Sequence, residues 1–280
     1  MKAVAFSPAH VTGFFEICYG EDEKSTGSRG AGICLSLGSY AEVERVGGDG
    51  ISIEGNAGEG NVTMEAMKEL GINGVKIRIR NQLPLSQGFG MSASSTLASS
   101  LAACHLFSLP PEKALEVTHV AEVRMKGGLG DAISSFGGGM EIRKKPGLYG
   151  TVERKECTKK VVVAVLGESI KTHEILKNER MVEKINEAGR EAMKLFLKNP
   201  SIENLFHISY EFSLSAGLAN EKISRILREA NKIGRAAMCM LGNSIFAIHS
   251  KEMLKFLSRY EHYECFIDNE GARVLASFLP

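Results

Sequence analysis

The sequence predicts an α+β protein of two lobes, and three observations carry the prediction. The first half holds short apolar or alternating runs broken by glycine. The second begins with a fully apolar run and continues into long amphipathic stretches. Between them, residues 146–157 are polar and rich in turn formers, which places a boundary after residue 150 and gives domains of 1–150 and 151–280. A length of 280 residues suits one large domain or two modest ones.

In chain order, VAFSPAHV (4–11), GICLSLGSYAEVERV (32–46), GISIEG (50–55) and GVKIRIRNQL (74–83) read as strands. In the last of these Val75, Ile77 and Ile79 alternate with Lys76, Arg78 and Arg80, the pattern of a half-buried strand with one wet face. NVTMEAMKELG (61–71) reads as a short helix with Gly71 as its C-cap. A serine-rich helix follows from Ser92, with Leu97, Leu101, Cys104 and Leu106 near helical spacing. A second runs from Pro111 to about Lys126, with proline at its start and two glycines beyond its end. GMEIRKK (139–145) is strand-like, and KKVVVAVLGE (159–168) is a fully apolar strand. Helices are expected over roughly 174–197, 201–216 and 220–234. AAMCMLGNSIFAIH (236–249) reads as one last strand, followed by a short helix and EHYECFI (261–267) returning to the sheet.

Composition narrows the function classes. A net charge of +1 and no basic cluster interleaved with aromatics give no electrostatic footprint for nucleic acid. The expected partner is a small molecule, another subunit, or both. Six scattered cysteines without a CxxC pair suggest buried thiols in a reducing compartment rather than disulfides or a zinc site. The N-terminal apolar run is broken by Pro8, too short for a signal peptide, and no segment has the length of a membrane span, so a cytoplasmic location is expected.

The chemistry concentrates in two glycine-rich loops. In PLSQGFGMSASS (84–95), Gly88 and Gly90 allow the backbone unusual conformations and close approach of a ligand. The loop runs into a helix start, where unpaired N–H groups and the positive end of the dipole favour an anion. Taken alone, the loop also reads as a serine-rich N-cap after a turn. Downstream lie Glu122, on the helix entering the second loop, and Asp131 in GGLGDAISSFGGG (127–139). Phosphates over the first loop need a divalent cation, and Ser92 Oγ with Glu122 offers the hard oxygen ligands magnesium takes. An aspartate across the phosphates would orient or deprotonate an attacking hydroxyl. Each residue has a plainer reading: Glu122 as a solvated helix charge, Asp131 as an N-cap of a short turn.

These segments in order resemble the motifs of the GHMP kinases. P-x-x-x-G-F-G-M-S-A-S-S resembles the family's second motif, with Met91 in place of its first serine and Ser92 on the serine that ligates magnesium. E-V-R-M-K-G-G-L-G-D with the following S-S-F-G-G resembles the region of the magnesium-ligating glutamate and catalytic aspartate, which carries those roles to Glu122 and Asp131. SPAHVTGFFEI (7–17) resembles the first motif, which lines the acceptor site. The third motif, usually a glycine cluster, is here Met240-Leu241-Gly242-Asn243-Ser244 with one glycine. Within the superfamily this form, together with GSRGAG and GFGMSASS, resembles the archaeal pantoate kinase branch.

The resemblance implies a two-lobed GHMP fold, with a ribosomal-protein-like β/α lobe followed by an α/β lobe, and ATP and Mg²⁺ as cofactors. It implies a catalytic set of Asp131, Ser92 and Glu122, with Ser92 and Glu122 as the metal ligands. The nucleotide would lie on Pro84, Gly88, Phe89, Gly90, Met91, Ser92 and Ala93. A small hydroxy acid such as pantoate needs a cation for its carboxylate, for which Arg143 offers a bidentate fork; a surface arginine beside Lys144 and Lys145 is the alternative. His10 is a candidate hydrogen-bond partner for a substrate oxygen, or else a satisfied histidine at a strand end. Ser28 and Arg29 are further acceptor-side candidates, and Phe14 and Phe15 suit either an apolar pocket or the core. Homodimers fit the family, though no heptad or apolar stripe marks an interface.

Overall fold

The computed structural model describes residues 1–169 and 177–278. Its first sheet is built on two long antiparallel strands, β1 (Lys2–Cys18) and β2 (Gly27–Arg45). β1 extends past the run read from the sequence at both ends and β2 at its start, and Pro8 does not interrupt β1. It sits at a register shift between Pro8 and Ala9, where a bulge accommodates the missing N–H. The second half of β2 pairs with β4 (Val75–Asn81), and β4 pairs in parallel with β3 (Ile51–Gly55) across the helix α1 (Asn61–Glu69). Val75, Ile77 and Ile79 are buried while Arg78 and Arg80 are exposed, as the alternation requires.

The first half of β2 pairs with β5 (Met140–Arg143), which pairs in turn with β6 (Val152–Lys155). β6 falls in the segment read as turn-rich, because a four-residue edge strand with a single apolar residue, Val152, carries no apolar alternation. On the far side of β1 lies β11 (Arg273–Phe278), likewise unanticipated. The first sheet thus draws strands from both sides of residue 150.

Helices α2 (Met91–Leu106) and α3 (Pro111–Arg124) pack with α1 against this sheet. Leu97, Leu101 and Ala102 bury against Ala3, Ala41, Val43 and Ile77. The short α4 (Asp131–Gly137) leads into β5.

A second, all-antiparallel sheet orders β10 (Glu261–Phe266), β7 (Lys160–Val165), β9 (Ser244–Ile248) and β8 (Ala236–Met238). The run read as a single last strand is therefore a hairpin. It reverses at Leu241 (φ 62°) and Gly242, so one glycine suffices where one non-glycine residue takes the left-handed conformation. EHYECFI does return to a sheet, as β10. Helices α5 (Glu179–Phe196), α6 (Ile202–Ser215), α7 (Glu221–Ile233) and α8 (Lys251–Leu257) complete the second half. The first turn expected for α5, at 174–176, lies outside the described residues.

One core spans the two sheets. Phe14 of β1 meets Phe196 of α5 edge-on at 5.4 Å and Phe212 of α6 at 6.4 Å, and Val11 and Ile33 join the same cluster as Val161 and Val163 of β7.

Candidate active site

Four helices of the second half are closed by their own caps: Asn178, Ser201, Asn220 and Ser250 each accept from a backbone N–H three residues on. α2 is not. Its N-cap is Gly90, in the left-handed conformation at φ 60°, and no side chain caps it. Ser94 N–H is the first to bond within the helix, to the Gly90 carbonyl, so the amides of Met91, Ser92 and Ala93 stay open at the positive end of the dipole. A cleft opens at this point, lined by residues 88–93 of the loop, by Glu122 at the end of α3, and by residues 127–131 of the second glycine loop. Pro84 stands at the start of the loop, outside the lining.

Ser92 Oγ donates to Glu122 Oε1 at 2.6 Å, and the Gly128 N–H donates to Oε2 at 2.6 Å. Burial pushes the Glu122 carboxyl up to about 7, against the lowering effect of these two hydrogen bonds. A buried carboxylate with a hydroxyl beside it is an oxygen-ligand pair suited to magnesium, which typically takes one or two protein ligands and completes its shell with phosphate and water. Ser94 and Ser95 play no part in the cleft, bonding back to the carbonyls of Ser7 and Ser92.

Asp131 lies across the cleft as the first residue of α4. Its place in the helix is N1, the cap position being Gly130. Oδ1 is hydrogen-bonded with His10 Nδ1 at 2.7 Å, and Oδ2 lies against Gly128, where an added Cβ would come within 2.1 Å of it. His10 is fully buried and does not line the cleft. Its Nε2 lies 2.9 Å from Glu141 Oε1, and Glu141 is bonded in turn by Arg143 Nη1, which also donates to Ser134 Oγ at 2.8 Å. Arg143 is thus neither on the surface nor in the lining: it is 1% exposed, and Nε has no partner among the described residues. That Nε and Ser28 Oγ converge on Gly130, whose added Cβ would lie 2.6 Å from one and 2.7 Å from the other.

Burial disfavours a charge on His10, but its bonds to Asp131 and Glu141 outweigh that and raise its pKa. Burial likewise works against a charged Glu141, yet Arg143 and His10 hold it below the ordinary carboxylate range.

At the other end of the cleft are Ser28 of β2 and Thr12 and Phe15 of β1. Phe15 lines the cleft while Phe14, one residue earlier, is buried in the core between the lobes. Arg29 turns away to Glu16 and the Lys144 carbonyl. Met240 and Leu241, in the β8–β9 turn, close the cleft from the second half. They belong to the segment that resembles the third motif, and its single Gly242 packs against the backbone of Gln87 and Gly88. Thr12, Gly128 and Glu141 were not singled out from the sequence. Glu141 in particular sits in a strand of alternating character that gives no hint of a partner 131 residues away.

Comparison with known proteins bears on this arrangement. Residues 60–139 match the model of the GHMP kinases N terminal domain, a stretch that contains the α2 loop, Glu122 and Asp131. The chain is 35% identical to a pantoate kinase of Methanocaldococcus jannaschii, across 89% of this chain and 94% of the relative. It is 33% identical to a pantoate kinase of Thermococcus kodakarensis, across 87% and 86%. A solved structure described as a phosphotransferase related to the CoA biosynthesis pathway superposes with a TM-score of 0.88 at 30% identity, covering 98% of each chain. The chain therefore belongs to the pantoate kinase family of the GHMP kinases.

Proposed function

We propose that this kinase transfers the γ-phosphoryl group of ATP to the 4-hydroxyl of pantoate, a step on the route to coenzyme A, by direct in-line displacement. One observation carries the reading: the open N-terminus of α2, the Ser92–Glu122 pair and the Asp131 carboxylate all face a single cleft.

The triphosphate rests on the amides at 91–93, where the glycines at 88 and 90 let it approach the backbone. Ser92 Oγ and Glu122 are the groups that would hold Mg²⁺, which when bound offsets phosphate charge. Asp131 Oδ2 receives the acceptor hydroxyl and aligns its oxygen with the γ-phosphorus. As the new O–P bond forms, the bond from the γ-phosphorus to the bridging oxygen breaks, ADP leaves, and the hydroxyl proton passes towards Asp131. Positioning and charge compensation supply most of the rate in such transfers, so no phosphoenzyme is required. The acceptor's carboxylate lies towards Ser28, whose hydroxyl can donate to it, and its dimethyl group towards Phe15 and Met240.

A coupled ADP-release assay against pantoate, mevalonate and homoserine in parallel tests the reading. Turnover is expected with pantoate and magnesium present. Turnover with another acceptor and none with pantoate overturns the substrate, and no ADP release with any of them overturns the reaction.

A further inference from the structure

A buried line of four ionisable groups runs from the cleft into the first sheet: Asp131, His10, Glu141 and Arg143. Only Asp131 has appreciable access, with its side chain 22% exposed; the side chains of His10 and Glu141 are fully buried, and that of Arg143 is 2% exposed. Both ring nitrogens of His10 face carboxylate oxygens, and an imidazole can donate to both only when doubly protonated. The line then alternates in sign and sums to zero, the condition under which buried charges are tolerated.

We infer that His10 is a positioning residue: as an imidazolium clamped between two carboxylates, it occupies Asp131 Oδ1 and leaves Oδ2 as the one oxygen presented to the acceptor hydroxyl, with Glu141 and Arg143 fixing His10 from behind. The inference rests on the role proposed above for Asp131. Three features carry it.

Asp131 Oδ1 is committed to His10 at 2.7 Å, while Oδ2 has no hydrogen-bond partner among the described residues and lies on the cleft side, over Gly128. The ring has no freedom to turn towards a substrate, since rotation would break two charge-assisted bonds, one of them to the fully buried Glu141. Finally, the strands hold the line in register. His10 on β1 lies opposite Cys34 of β2, Glu141 on β5 lies opposite Gly32, and an added Cβ at Gly32 would fall 2.5 Å from His10 Nε2 and 3.1 Å from Glu141 Oε1. Gly32 is the gap through which the two side chains meet across β2.

The other groups around the ring leave this assignment intact. The Cys34 thiol is held neutral, its pKa driven well up by burial, and Arg154 adds positive potential on the Glu141 side. With Oδ1 taken up by His10, the Asp131 carboxylate serves first to aim the hydroxyl and receives the proton only as the O–P bond forms.

Two measurements on the full chain test the assignment. The first is a ¹⁵N-histidine spectrum at pH 7.5, with His10 identified by its loss in His10→Gln. Two protonated ring nitrogens are expected, and a neutral single tautomer overturns the proposal. The second is steady-state kinetics of Glu141→Gln, which keeps the shape but removes the charge that holds His10. kcat is expected to fall at least tenfold, with KM for ATP and for acceptor within about twofold of the unchanged protein. A raised acceptor KM with kcat preserved would mean that the line serves acceptor binding, and unchanged kinetics would mean that it serves the fold alone; either overturns the proposal. If Glu141→Gln fails to fold, the spectrum of the unchanged protein still decides. Because that spectrum needs no acceptor, an error over the substrate cannot be mistaken for an error over His10.

Discussion

Replacing Gly242 by alanine tests whether the β8–β9 turn holds the phosphate loop in place. A Cβ at 242 would lie 2.1 Å from both the carbonyl carbon and oxygen of Gln87 and 2.4 Å from the amide nitrogen of Gly88. Carbon atoms in comfortable contact sit about 3.5–4.0 Å apart, so the loop and the turn must separate by over an ångström. All three obstructing atoms are backbone, and no side chain can rotate aside. Overpacking of this kind destabilises by about 1–3 kcal/mol. The kinetic effect is larger, because a misplacement of about 1 Å at a reacting centre costs on the order of 10²-fold in rate. ADP release measured across ATP concentration, beside a thermal melt, should show kcat/KM for ATP down by about that factor with a fall of only a few degrees in Tm. Gly50 has no atom within 4 Å of an added Cβ, so Gly50→Ala serves as the neutral control. If Gly242→Ala shifts the melt while kcat/KM for ATP stays within about twofold, the turn supports the fold and not the loop.

Asp131→Ala should lower kcat by about 10²–10⁴-fold, and a fully active variant would remove Asp131 from the reaction. Glu122→Gln should raise the magnesium concentration for half-maximal activity at least tenfold, and an unchanged magnesium dependence would exclude it as a ligand. The same variant has a stability signature without metal. Glu122 titrates near 7 in the folded protein against an ordinary 4.5, so its stabilising protonation is fully present below about 4.5 and is lost as pH rises through 7. In EDTA at pH 8, Glu122→Gln should therefore be more stable than the unchanged chain, by on the order of 3 kcal/mol at most, with the gap closing towards pH 5 in urea titrations. Phe14→Ala should destabilise by about 3–5 kcal/mol through its contacts with Phe196 and Phe212, with acceptor KM unchanged, whereas Phe15→Ala, which also removes a contact with Phe212 at 5.8 Å, should both destabilise and raise acceptor KM. Equal kinetic effects from the two would contradict the division between core and cleft.

Much of the fold was legible where local chemistry decides it. The alternation of 75–80 fixed both the existence of β4 and its buried face, and proline at the start and glycines past the end bracketed α3. α2 announced itself by its lack of breakers rather than by an apolar stripe, for it is buried nearly all round, including Ser94, Ser95, Ser99 and Ser100. β6 and β11 were not legible, because half-exposed edge strands are defined by their partners rather than by a buried face. The site divides in the same way. Ser92, Glu122 and Asp131 stand in ordered motifs, and all three line one cleft. His10 and Arg143 also stand in recognisable segments, but what they touch depends on Glu141 and on the gap at Gly32, and pairing across β2 leaves no trace in a single sequence.

The pairing of β11 with β1, with Lys2 opposite Phe278, also governs how the chain can be made. β1 is made well before β11, so one edge of β1 waits for its partner while the elements between them are synthesised. Exposed strand edges recruit other strands, and contacts this distant in sequence form slowly. A chain cut before β11 would therefore leave that edge of β1 open permanently.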